Sequence, residues 1–160
     1  MNKRNQKKQK VQAGSGLQTE LPLGVRLLRT LDVPEIVRSL AFDPHGEILA
    51  SGNADGSVKL WEMRTGRLLR ILKGNQGVVF SLAFDSRGQM LAIAGYDRTV
   101  KLWKADTGKL QWTLEGHQAA VWSLAFNPYN GTLATGSAPA ELEGKKVDYP
   151  VRIVYSFELH

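Results

Sequence analysis

The chain has 160 residues, no cysteine, three histidines and a formal net charge of +6. Without cysteine there is no disulfide framework, thiolate metal site or cysteine nucleophile, and His45, His117 and His160 are the only imidazoles. No apolar run approaches the roughly 20 residues of a membrane span, while the length suffices to bury about two-thirds of the unfolded surface.

The charge is concentrated at the start. Lys3, Arg4, Lys7, Lys8 and Lys10 stand in the first ten residues without an acid, which leaves sixteen cations against fifteen acids elsewhere. Residues 1–22 are rich in Lys, Gln, Asn, Gly and Ser. They lack the apolar side chains that would offset about 1–2 kcal/mol of ordering entropy per residue, so a basic disordered tail is expected. No signal-peptide type of apolar stretch follows, and a cytoplasmic protein is expected, with the nucleus as the alternative. The five cations can neutralise nucleic-acid phosphates in a salt-dependent way. With no interleaved aromatics to stack bases, a solubilising tail is the plainer reading.

Residues 23–160 are built on a repeat. The string SLAF begins at Ser39, Ser81 and Ser123, and VKLW begins at Val58 and Val100, all 42 residues apart. RLLRIL from Arg67 and KLQWTL from Lys109 keep the same interval. Ahead of the first unit, RLLRTL predicts an isolated strand at about 25–31, centred on Leu27–Leu31. Each unit then alternates short runs rich in β-branched and aromatic residues with turn signals: VRSLAF, DPHG, EILASG, NADGS, VKLWE, RTG and RLLRIL. That order predicts four strands per unit. Asp43 and Pro44 suit the opening of a type I turn, and Gly46 and Gly88 supply a left-handed residue, a role expected of Asn130 in the third copy.

Four antiparallel strands every 42 residues, with LASG, an Asp and VKLW in that order, resemble the WD-repeat (β-transducin-like) family of β-propellers. The resemblance covers about residues 25–157 and implies an all-β fold of about three four-stranded antiparallel blades. These span about 36–73, 78–115 and 120–157, with an insertion at 138–146 in the last. It also implies a buried hydrogen-bonded chain in each blade, running from a His through a turn Asp and a Ser or Thr to a Trp. The first copy offers Ser51, Asp55 and Trp61, with Val33 in the His slot. The second offers Asp97 and Trp103, with Asn75 for the His and Ile93 for the Ser. The third offers His117, Thr135 and Asp148, with Val154 for the Trp. No copy is complete, so heavier reliance on apolar packing is expected.

Three blades are too few, since propellers close with about 4 to 8. The strand at Leu27–Leu31 lacks a blade of its own, and the last blade lacks a fourth strand before His160. A face of four five-residue strands covers about 300 Å². Leaving it wet forfeits up to about 8 kcal/mol. Three arrangements answer this: a fragment of a longer propeller, two copies giving six blades, or blades supplied by another protein. In the two-copy case the strand at Leu27–Leu31 of one chain completes the last blade of the other.

No reactive constellation stands out. Gly136 to Gly144 is too widely spaced for a phosphate loop, and Lys146 occupies the position where Ser or Thr must hold magnesium. The histidines show no metal spacing, so neither cofactor nor metal is implied and the chain is read as non-catalytic. The resemblance implies a scaffold for protein partners. Candidate contacts are the positions the repeat does not use: Arg38, Phe80 and Trp122, in the one variable slot before SLAF, together with Tyr96, Arg98 and, in the insertion, Glu141, Glu143, Lys145 and Lys146. The alternatives are a regulatory segment of a larger signalling protein and a nucleic-acid-associated protein that uses the tail.

Overall fold

The computed structural model describes residues 9–11, 19–21, 24–142, 145–147 and 152–156, and side chains from 24 to 139. The chain divides into two units, Met1–Asp32 and Val33–His160.

In the first unit, β1 (Gln9–Val11) pairs antiparallel with β2 (Thr19–Leu21). At these six residues the ladder differs from the disordered tail that composition predicts for residues 1–22. Composition weighs residues singly, whereas a ladder depends on two short segments meeting in register, as Gln9–Val11 and Thr19–Leu21 do. Residues 25–34 carry no regular secondary structure, which corrects the strand expected at Leu27–Leu31. Its apolar pattern is suited to a blade edge, but a strand exists only through a ladder, and among the described residues this segment belongs to none of the sheets.

The second unit holds three sheets in chain order. The first is β3 (Val37–Phe42), β4 (Ile48–Asn53), β5 (Val58–Glu62) and β6 (Leu68–Leu72), each paired antiparallel with the next. The second repeats it with β7 (Val79–Phe84), β8 (Met90–Gly95), β9 (Val100–Lys104) and β10 (Leu110–Leu114). In the third, β11 (Val121–Phe126) and β12 (Thr132–Ser137) are joined by β15 (Arg152–Ser156). The expected insertion lies between β12 and β15, where β13 (Ala140–Leu142) and β14 (Lys145–Val147) form a hairpin of their own. Among the described residues there is no helix.

The turns form for the reasons their residues supply. Asp43 accepts the Ile48 N–H at 2.7 Å and the His45 N–H at 3.2 Å, and Asp85 accepts the Gln89 and Met90 N–H groups at 2.7 and 2.9 Å. Gly46 and Gly88 take the left-handed conformation, with φ of +71° and +69°. The third copy departs from expectation: Gly131 takes that conformation at φ +70°, while Asn130 instead accepts the Thr132 N–H at 3.0 Å. A glycine one position along adopts the conformation without a Cβ penalty and frees Asn130 to act as an acceptor.

The sheets stack through two apolar layers. The first joins Ala50, Val58, Leu60 and Leu72 of the first sheet to Val79, Leu82, Leu91, Ile93 and Trp103 of the second. On the opposite face of the second sheet, Met90, Ala92, Ala94, Val100 and Leu102 meet Val121 and Leu133 of the third. A sheet covered on both sides explains why every residue of β8 is buried. Close approach also dictates composition: a Cβ on Gly95 would lie 2.1 Å from the Val78 carbonyl oxygen.

Candidate functional site

The first strand of each sheet carries the same irregularity. Val37 pairs with Asn53 and Ser39 with Gly52, so Arg38 is an extra residue in the ladder. Phe80 between Val79 and Ser81, and Trp122 between Val121 and Ser123, stand in the same slot. A bulge places two residues against one and re-aims the side chain it adds. Val79 and Val121 are fully buried, whereas Arg38 is exposed and Trp122 is 55% exposed. The rings of Phe80 and Trp122 stack across neighbouring sheets with centroids 4.3 Å apart and planes 6° from parallel. One aromatic surface therefore spans two blades, and about 0.5–1.5 kcal/mol of pairing energy holds it.

The other sequence-selected contacts gather at that same end of the sheets. β8 ends where β7 begins, so the turn after Gly95 lies beside the Phe80 bulge. Tyr96 is 66% exposed, and its ring and Cβ lie over Gly77, 3.2 Å from where a Cβ would stand. Arg98 is the one non-glycine residue with positive φ among those described, at +65°. The hairpin of β13 and β14 leaves β12 beside the start of β11, because Val121 pairs with Ser137. Its backbone pairs Glu141 with Lys146 and Leu142 with Lys145. Glu143 lies outside the described residues, as do Lys3, Arg4, Lys7, Lys8 and Asp148; Lys10 is described in its backbone alone, within β1.

The expected polar chain is present in pieces. In the first blade Trp61 Nε1 donates to Ser51 Oγ at 3.0 Å, deep in the sheet. Asp55 turns to its own loop and accepts the Ser57 hydroxyl and N–H at 2.7 and 3.0 Å. These bonds, with the nearby Lys59 charge, hold the Asp55 carboxyl below its ordinary range. In the second blade Ile93 replaces the serine, and the buried Trp103 Nε1 has no partner. In the third, His117 Nε2 and Thr135 Oγ1 are hydrogen-bonded at 2.7 Å.

Asp97 serves the rim itself. It accepts the Gln76 N–H at 3.1 Å, the Thr99 N–H and hydroxyl at 3.2 and 2.9 Å, and the Lys101 ammonium at 2.5 Å. One carboxylate thus ties the loop before β7 to the turn after β8. Burial alone would raise its carboxyl, but Lys101, the Gln76 N–H and the two Thr99 donors outweigh burial and hold it below its ordinary value of 3.8.

Sequence reasoning passed over Lys59 and Lys101, which are only 7% and 8% exposed. A buried ammonium is tolerable when paired. Lys101 pairs with Asp97, whereas Lys59 pairs with Glu35. The position equivalent to Glu35 in the second copy is Gly77, so Lys101 finds its partner in the turn instead. Nothing in the sequence separates this Lys from a solvated one, since it recurs unchanged in both V-K-L-W runs.

Comparison with known proteins agrees with this arrangement. The family model described as "WD domain, G-beta repeat" matches residues 25–62, 66–104 and 108–138. The Ribosome biogenesis protein BOP1 homolog of Drosophila virilis is 46% identical over 44 residues, 28% of this chain and 6% of that protein. Among solved structures, U3-55K and the RRP9 WD40 repeats each align with a TM-score of 0.64 and 26% identity. Each alignment covers 69% of this chain and, respectively, 35% and 34% of theirs. The chain thus spans about a third of those structures and a small part of the curated relative.

Two outcomes follow for the polar groups. Ser51→Ala orphans the buried Trp61 Nε1 and is expected to cost about 1–3 kcal/mol in urea unfolding, with Ser51→Ala adding much less once Trp61→Phe is present. Because the folded Asp97 carboxyl is depressed, its stabilisation is complete above 3.8 and is lost as pH falls through the lower folded value. Melting temperatures of the wild type and Asp97→Asn are therefore expected to differ near neutral pH and to converge on acidification.

Proposed function

The chain belongs to the WD domain, G-beta repeat family, and from that premise we propose that it is a non-catalytic scaffold whose bulged rim holds protein partners. The observation that carries this reading is the set of three bulges in one register. Each presents a different side chain, Arg38, Phe80 or Trp122, between neighbours that repeat unchanged. Arg, Trp and Phe are residue types that interface centres favour. Tyr96, Arg98 and the insertion, with Glu141, Glu143, Lys145 and Lys146, extend the same contact region. Coverage of about a third of the solved WD structures supports reading the chain as a partial propeller.

A second reading concerns the tail and the compartment. Likeness to a protein named for ribosome biogenesis supports a nuclear setting over the cytoplasmic one that composition favoured. In that setting Lys3, Arg4, Lys7, Lys8 and Lys10 serve as a phosphate-neutralising arm on the scaffold. The notion of a regulatory segment in a signalling protein gains no comparable support.

Two measurements test these readings. Arg38→Ala and Trp122→Ala are expected to leave unfolding free energy within about 1 kcal/mol of wild type. In quantitative affinity capture, both are expected to lose a shared set of partners; unchanged capture removes the rim from the interface. For the tail, removal of residues 1–10 is expected to weaken RNA binding at low salt and to flatten its salt dependence. Equal binding at two salt concentrations, with and without those residues, excludes the arm.

A further inference from the structure

The same face recurs three times with one difference. On the side of each first strand that meets the preceding sheet, Val79 and Val121 are 0% exposed and Val37 is 38% exposed. Leu82 is 8% exposed, and its counterpart Leu40 is 60% exposed. Phe84 and Phe126 are half-buried against the neighbouring layers, while Phe42 is 59% exposed. The residues are alike, since Ser-Leu-Ala-Phe is identical in all three copies. What differs is the neighbour. The second and third sheets each rest on an Ala-, Val- and Leu-rich face, and the first rests Val37, Leu40 and Phe42 on solvent.

We propose that this face of the first sheet docks the outer face of the third sheet of a second copy, so that two chains close a ring of six sheets. The proposal rests on the partial-propeller reading above. The choice of a second copy follows from continuity: the chain already makes this contact twice between its own sheets. The third sheet offers the matching surface, with Thr132 and Ala134 where the covered faces have Ile48 and Ala50, or Met90 and Ala92. Ala50 and Ala92 are fully buried, whereas Ala134 is partly exposed. Two head-to-tail contacts join the same two chains, so their buried areas add toward the size of specific stable interfaces. Six sheets lie within the 4 to 8 that close a propeller, and a head-to-tail contact that closes on itself yields a finite ring rather than a fibre. The contact is between faces, so it needs no strand from Leu27–Leu31.

Sedimentation velocity and light scattering on the full chain over a wide concentration series test this. Supporting it is a species of twice 17.7 kDa that dissociates on dilution. Leu40→Glu and Ala134→Arg, on opposite faces, are each expected to weaken pairing at least about thirtyfold while circular dichroism and melting stay native. An equimolar mixture of the two variants retains one intact contact and is expected to regain pairing that neither shows alone. A folded wild-type chain of 17.7 kDa at every concentration overturns the proposal, whereas the scaffold reading then still stands or falls on Arg38 and Trp122. Pairing that Ala134→Arg leaves intact also overturns it, because like faces would then be meeting.

Discussion

A β-sheet with apolar side chains on both faces is stable only when both are covered, and that requirement organises this chain. The middle sheet satisfies it fully. Its β8 is buried at every position because one neighbour supplies Ala50, Val58 and Leu60 and the other supplies Val121 and Leu133. Everything else is arranged around that stacking. Turns are short because the strands must return in register, and Gly95 is bare because backbone from Val78 passes within 2.1 Å of where its Cβ would be. The bulges stand on the first strand of each sheet, where one side chain leaves the ladder while its neighbours stay in the layer.

Much of this is legible in the amino-acid sequence. A period of 42 residues located ten strands of the three sheets, because each copy repeats both the alternation and the turn residues that bound it. The slot of Arg38, Phe80 and Trp122 was visible as a break in otherwise identical strings. Its cause was not, since a bulge present in every copy leaves the period unchanged. The buried lysines were also hidden. In a strand covered on one face, the Lys of V-K-L-W reads as outward and solvated; in the fold Lys59 and Lys101 are buried and ion-paired with Glu35 and Asp97. The segment at Leu27–Leu31 failed in the opposite sense, because propensity can specify a strand but cannot supply its partner.

The polar interior shows how far a repeat can drift while packing holds it. One blade keeps a Ser–Trp bond, one keeps a carboxylate that bridges two loops, and one keeps a His–Thr bond. Trp103 has exchanged its acceptor for the apolar contact of Ile93, which belongs to the first layer. An unmade bond of this kind costs about 1–3 kcal/mol, and burying an isoleucine contributes a similar amount, so the exchange is close to neutral. Two copies keep an aspartate at the turn after the first strand, and Asp43 and Asp85 each accept two backbone N–H groups, whereas in the third copy Asn127 stands there and accepts the Tyr129 N–H at 2.9 Å.

The bulges carry a consequence for how such a molecule can change. A residue that stands outside the ladder has little influence on the pairing of the strand that bears it. Arginine, phenylalanine and tryptophan occupy one slot here over backbones that pair identically. The identity of the bulged side chain and the pairing of the strand are therefore set at separate positions. A lineage carrying this repeat can revise the chemistry of that rim one side chain at a time without renegotiating its architecture.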